Sequence, residues 1–334
     1  SRRSPQKSLR LYARPEYDEE NVFNYPLFKG MTSEQLEDLH SSYPAFILRN
    51  SGQDWAVSML RDAFAQRLAE GTSLDRQAGR FAVVFLNGEY WGICHMQERY
   101  DAAYLSNHYG IPTGQGVILG LNGELISGEP GDNMAYAEMM RFIRTHDLAD
   151  QANYEKLNTM MDIDSYIDYL IFEIYAANQD WPDKNVNLWR MKTDGYQPGA
   201  PEGQDGRWRW MLIDLDFTFG LKSQEGDITH DTLMHAQIPS SGGEIFRELL
   251  KNESFRSEFK ARFEAHLATT FAPERVKSVL DETAAELKPY MEEFFERWGT
   301  GSLGSWEEEI ELIQRFAKER PQYLKELLGS AYVE

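Results

Sequence analysis

The run Asn178-Gln179-Asp180-Trp181-Pro182-Asp183-Lys184-Asn185-Val186-Asn187 crowds carboxylates and amides between two apolar stretches. Loops between regular elements are where chemistry is commonly carried. Within it Asp180 and Asn185 have the spacing DxxxxN, which in protein kinases sets a carboxylate at the acceptor hydroxyl and an amide oxygen on magnesium. Alone, such a pair arises often by chance. Its weight rises with Ile213-Asp214-Leu215-Asp216-Phe217, where acid arrives at the end of an apolar run. The order of helix, polar loop, hairpin and terminal Asp is the order by which kinases bring a base and two metal ligands to one cleft. Alternation along an extended segment puts Asp214 and Asp216 on one face. Two like charges held together need a cation or an Arg between them, and a metal is the simpler account. The bland reading is a strand-end turn with solvated carboxylates. Asp183 and Asn187 read as ordinary loop and strand residues.

Other chemistries find less support. An EF-hand starting at Asn178 would need Gly where Asp183 stands and a bidentate Glu where Trp189 stands. No GxxxxGK[ST] phosphate loop, GxSxG elbow or HExxH zinc motif occurs. His230 and His235 read as helix or loop residues rather than ligands. Cys94 is the one cysteine, which excludes an internal disulfide and a cysteine zinc cluster. Asp214-Leu215-Asp216 also fits the DxD of a glycosyltransferase, where a metal bridges a nucleotide-sugar diphosphate. That reading leaves Asp180 and Asn185 without a role.

The elements that must position these groups are legible from periodicity. Residues 54–70 form an amphipathic helix pattern, with Asp54 as N-cap, Leu60, Ala63, Phe64 and Leu68 on one face, and Gly71 as the stop. Phe81–Leu86, Asn87-Gly88 and Glu89–Met96 read as strand, tight turn and strand. Residues 101–132, rich in glycine and polar residues, read as a connector. Helical spacing returns over 134–146 and 163–177, where Tyr166, Leu170, Ile171 and Ile174 make the apolar stripe. Val186–Met191 and Arg207–Ile213 form a second hairpin with a long tip from Thr193 to Gly206. From residue 244 onward three helical segments begin near Glu244, Glu274 and Trp306, broken at Ala272-Pro273 and between Gly299 and Gly304. The class is α+β, mostly strand first and mostly helix after.

The chain of 334 residues carries 34 basic against 54 acidic groups, a formal charge of −20. That balance repels nucleic acid and anionic lipid and attracts a basic protein, although it also serves simply to keep a helical surface soluble. The most apolar stretch, Tyr169 to Ala177, is short and carries Glu173, so no membrane span is expected. The start, Ser1 to Lys7, has no apolar signal core.

The chain resembles the CotH kinase family, named for spore coat protein H, whose members look like divergent protein kinases. The resemblance runs through nearly the whole chain. It is carried by Pro5-Gln6-Lys7-Ser8-Leu9-Arg10-Leu11, by Leu86-Asn87-Gly88-Glu89-Tyr90-Trp91-Gly92 leading to Met96-Gln97-Glu98-Arg99-Tyr100-Asp101, by the cluster at Asp180, by Ile213-Asp214-Leu215-Asp216 and by Arg297-Trp298-Gly299. It implies a two-lobe kinase-like fold, with a small β-rich lobe over residues 1–100 and a larger helical lobe over 101–334. It further implies that Asp180 orients or deprotonates the acceptor hydroxyl, that Asn185 and Asp214 hold Mg2+ (or Mn2+) and that Asp216 supports or shares the ion. Lys7 would contact the ATP phosphates, although the 54–70 helix offers it no clear Glu partner, only Asp62 and Glu70 as candidates, and Met96, Gln97 and Glu98 would lie at the adenine edge. The implied partners are ATP and a basic, Ser-rich surface-layer protein, in a spore coat or cell envelope. The chain departs from standard kinases: no GxGxxG precedes Lys7, no His-Arg precedes Asp180, Leu215 replaces Phe and no Ala-Pro-Glu follows. A non-catalytic surface or adhesion module on the same fold is the rival reading.

Overall fold

The computed structural model describes residues 4–17, 19–25, 27–28, 42–221 and 228–329. Ser1 to Arg3, at the head of the stretch read as lacking an apolar leader, lie outside the described residues. Chain order begins with the strands β1 (Leu9–Tyr12), β2 (Phe23–Asn24), β3 (Ser42–Tyr43) and β4 (Ala45–Arg49). Helix α1 (Arg61–Leu68), strands β5 (Gly79–Leu86) and β6 (Glu89–Gln97), helix α2 (Ala102–Tyr109), and strands β7 (Gly116–Gly120) and β8 (Leu125–Ser127) follow. Then come helices α3 (Met134–Thr145), α4 (Gln151–Leu157) and α5 (Ile163–Ala176) and strands β9 (Asn187–Met191) and β10 (Arg209–Met211). The chain closes with α6 (Thr232–His235), α7 (Glu244–Leu249), α8 (Glu253–Ala268), α9 (Pro273–Trp298) and α10 (Leu303–Leu328).

A four-stranded antiparallel sheet in the order β1-β4-β6-β5 forms the first lobe. Asn87 and Gly88 both take positive φ, 51° and 84°, which is what a two-residue hairpin turn requires between β5 and β6. A second four-stranded sheet, β10-β9-β7-β8, floors the cleft between the lobes, and the helices pack behind it. The expected connector over 101–132 therefore contains a helix and two strands. Asp101 caps α2 by accepting the N–H groups of Ala103 and Tyr104, and Gly110 ends it at φ 65°. β7 is buried throughout and pairs with β9 from Gly116 to Gly120. Short runs separated by glycine hide such strands from a periodicity reading.

The fold is α+β and two-lobed, with a kinase-like arrangement. Its core gathers on α5, whose residues from Tyr166 to Ala176 are all buried. Tyr175 stacks on Phe271 at 3.8 Å between ring centres. The C-terminal helices also return to the first sheet: Trp298 of α9 meets Trp91 edge-on, and Arg297 Nε donates to the Tyr90 carbonyl. The predicted 54–70 helix is shorter than its apolar spacing suggested. Gly52–Asp54 make a single 3-10 turn and the helix begins at Arg61. Leu60, not Asp54, therefore stands at the N-cap, while Asp54 supports the start of the helix from the preceding turn by accepting the N–H of Ser58 and Arg61 and pairing with the buried Arg61 guanidinium. The final helical region is four helices rather than three, because Asn252 restarts the chain as the N-cap of α8.

Candidate active-site cleft

Helix α5 stops where Ala177 turns left-handed at φ 51°, which throws the chain into the polar loop. Asn178 then organises that loop. Its side-chain NH2 donates to Glu173 Oε2 at 2.8 Å, and its carbonyl oxygen accepts the Asp180 N–H at 3.2 Å. Two backbone bonds sew the loop to the segment after β10: Gln179 N–H to the Phe217 carbonyl and Phe219 N–H to the Ala176 carbonyl. The two acidic stretches found in the sequence are thus neighbours because the end of α5 holds both.

Asp214 and Asp216 are not on one face of an extended strand. Asp214 is left-handed at φ 54° and Leu215–Phe217 form a 3-10 turn. The turn nevertheless returns both carboxylates to one point, where Arg49 at the end of β4 meets them. Arg49 Nη2 bonds Asp214 Oδ1 and reaches Asp216 Oδ2 at 2.9 Å. Its Nε lies 3.7 Å from Asp62 Oδ2 on α1. Burial alone would lower the Arg49 pKa, but Asp214, Asp62 and Asp216 together raise it. Of the two neutralisers that a carboxylate pair needs, the described residues supply an arginine.

Asp216 is the buried member, at 4% side-chain exposure against 38% for Asp214. Burial and the adjacent Asp214 charge push Asp216 up to about 7, in spite of Arg49 and the Gln53 N–H that donates to it. A carboxyl held there still favours additional positive charge. Asn185, left-handed at φ 57°, donates its amide NH2 to the Asp214 carbonyl at 3.4 Å, which leaves the amide oxygen to serve as a ligand. Among the described residues no three His, Cys, Asp or Glu side chains converge as a metal cage. Two carboxylates and an amide oxygen are nonetheless the hard oxygen donors that Mg2+ takes, and it binds through one or two carboxylates plus phosphate rather than in an all-protein cage.

Asn185, Asp214 and Arg49 line a cleft of about 720 Å3, with Asp216 and Asp180 behind them and outside its lining. Its roof is one face of the first sheet, where the register sets Arg10 beside Ile47 and Ile47 beside Gln97. Its floor includes Leu121, Val186 and Ile213. Lys7, Arg10 and Arg49 bring three cations to the roof, which suits a polyanion. Lys7 lines the cleft, its ammonium donating to the Ser4 carbonyl at 2.6 Å. Its expected acidic partners are otherwise engaged: Asp62 faces Arg49, and Glu70 pairs with Arg76 at 3.1 Å.

Of the three residues expected at the adenine edge, Gln97 alone lines the cleft. Met96 alternates to the other side of the sheet, into the cluster of Phe46, Leu48 and Cys94. Glu98 is buried, with Oε2 accepting the Ala78 N–H and Oε1 facing His108 Nε2 at 3.1 Å. His235 Nε2 meets the Trp181 carbonyl at 2.7 Å, so this histidine buttresses the polar loop.

Asp180 is held by two donors. Lys184 Nζ approaches Oδ1 at 3.3 Å, and Gln53 Nε2 approaches Oδ2 at 2.9 Å. Gln53 and Arg49 were not singled out from the sequence. The available signal was the run Leu48-Arg49-Asn50-Ser51-Gly52-Gln53-Asp54, a polar, glycine-bearing break between an apolar strand and a helix. A family model described as CotH kinase protein matches residues 1–324. No curated protein sequence matches the chain.

Proposed function

From the chain's membership of the CotH kinase family, we propose that it transfers the γ-phosphoryl group of ATP to Ser or Thr hydroxyls of a protein. The observation that carries this reading is the meeting of Asp180, Asp214 and Asp216 around Arg49 and Gln53, beside a cleft with a cationic, partly apolar roof. Residues 1–100 act as the lobe over the nucleotide, and residues 101–334 carry the loop and the acids. The base of ATP lies between Ile47 above and Leu121 and Val186 below, with Gln97 at its polar edge. Lys7, Arg10 and Arg49 take the phosphates. Asp214, Asp216 and the Asn185 amide oxygen hold Mg2+ or Mn2+, which supplies neutralisation of phosphate charge.

Asp180 accepts the proton of the acceptor hydroxyl as its oxygen forms the new bond to phosphorus. The bond from phosphorus to the bridging oxygen of ADP breaks in line, and the electron pair leaves on ADP. The protein contributes positioning and electrostatics rather than a covalent intermediate. A basic, Ser-rich surface protein of a spore coat or envelope suits the −20 charge of the chain.

The test is incorporation of labelled phosphate from ATP with magnesium, into the chain itself and a basic Ser-rich peptide. Asp214→Asn keeps the shape and removes the charge, and should lower incorporation by at least a hundredfold, on the order of what loss of a principal electrostatic contact costs. A wild-type chain that neither transfers phosphate nor gains thermal stability from ATP and magnesium sinks the reading in favour of a binding module.

A further inference from the structure

We propose that Gln53 is a positioning residue that orients the Asp180 carboxylate, and that it does so only when the first sheet is seated over the polar loop. The proposal rests on the phosphoryl-transfer reading above. Gln53 touches both acidic stretches at once: its backbone N–H donates to Asp216 Oδ2 at 2.7 Å and its side-chain amide to Asp180 Oδ2 at 2.9 Å. The direction of the amide is fixed by chemistry, because an ionised carboxylate only accepts and the amide can offer it nothing but its NH2.

The turn that carries Gln53 is built to be rigid. Gly52 N–H donates to Asn50 Oδ1 at 3.2 Å, Asn50 Nδ2 donates to the Gln6 carbonyl at 2.6 Å, and Ser8 Oγ donates to Asn50 Oδ1 at 2.9 Å. On the other side Asp54 is buried against Arg61. Gly52 itself has φ +58°, and a Cβ there would lie 1.8 Å from Asp216 Oδ2. Only glycine lets the turn come this close to the acids. A fixed arm from the first lobe therefore extends one amide to a carboxylate on the second.

Lys184 cannot serve the same purpose. It belongs to the same loop as Asp180 and is largely exposed, so it travels with that loop. Among the described residues, Gln53 ties the orientation of Asp180 to the placement of the other lobe. Neutrality matters as well, since a hydrogen bond from an amide fixes the carboxylate while leaving its charge, and hence its basicity, less reduced than an ammonium would.

The experiment measures steady-state transfer to the basic Ser-rich peptide by full-length wild type, Gln53→Ala and Gln53→Glu between pH 5.5 and 9. Gln53→Ala should lower kcat about tenfold to a hundredfold, as misplacement of a reacting group does, with the KM for ATP within twofold of wild type. Gln53→Glu sets a second carboxylate against Asp180, and can donate only while the pair keeps a proton. Its activity relative to Gln53→Ala should therefore climb as pH falls. An unchanged kcat in Gln53→Ala, a loss confined to the KM for ATP, or a Glu to Ala ratio that stays flat with pH overturns the proposal and leaves the kinase reading intact. Absence of transfer by wild type overturns both.

Discussion

If the acids hold a cation as proposed, Asp216 is the residue whose protonation would decide when it can join them. Its ordinary value is 3.8 and in the fold it is about 7. Across that window the folded chain keeps a proton that the unfolded chain has lost, so Asp216 makes stability fall as pH rises. A divalent ion needs the ionised form, so its binding should strengthen over the same range. The thermal midpoint gained from ATP with magnesium is expected to be larger at pH 8 than at pH 6, and a gain independent of pH would remove Asp216 from the ligand set. Glu173 behaves in the same sense one layer deeper. Burial pushes it up to about 8, and its Oε1 has no hydrogen-bond partner among the described residues. Glu173→Gln keeps an acceptor for Asn178 and cannot ionise. Its midpoint should exceed that of wild type by a margin that grows from pH 4.5 to 8 and is level above, which a melting series across that range would check.

At the scale of elements, the sequence made plain whatever depended on local rules. The β5–β6 hairpin, α3, α5 and the breaks before α9 and α10 follow from alternation, 3.6-residue spacing, Asn-Gly, Pro273 and Gly299. Asp180, Asn185 and Asp214 were legible because their spacing lies within one stretch of chain. Arg49 and Gln53 were not, since their partners stand at Asp180, Asp214 and Asp216, and single-sequence periodicity carries no information about contacts of that range. The same limit hid Arg320. This fully buried residue of α10 donates to the carbonyls of Ile174 and Tyr175 in the last turn of α5, and to those of Ile228 and His230. It thus reinforces carbonyls near the end of that helix and, among the described residues, is the donor to the Tyr175 carbonyl. Arg320→Met fills similar volume and leaves the Tyr175 carbonyl without that donor. Chemical denaturation should show a loss of about 1–3 kcal/mol, the cost of a buried group left unpaired. A loss below 1 kcal/mol would mean that other donors replace it.

For the whole molecule, the charge of −20 would steer the approach of the basic protein substrate proposed above. Long-range attraction is screened over about 8 Å at physiological ionic strength. The KM for a basic Ser-rich peptide should therefore rise severalfold between low and moderately high salt, while that for a neutral Ser peptide changes little. Equal salt responses would mean that the acidic surface serves solubility alone. Among the described residues no helix is long and apolar enough to cross a membrane.

Cys94 lies at the centre of β6, fully buried, with its thiol pushed up to about 12 by burial. A thiol so protected is a poor nucleophile, and the chain has no other. The native protein is therefore a ready background for site-selective labelling. One new cysteine at exposed Phe85 on the first sheet and another at Ile126 on the second would carry a donor and an acceptor dye without removal of any native group. The separation of the two lobes, with and without ATP and magnesium, can then be read as a distance, molecule by molecule.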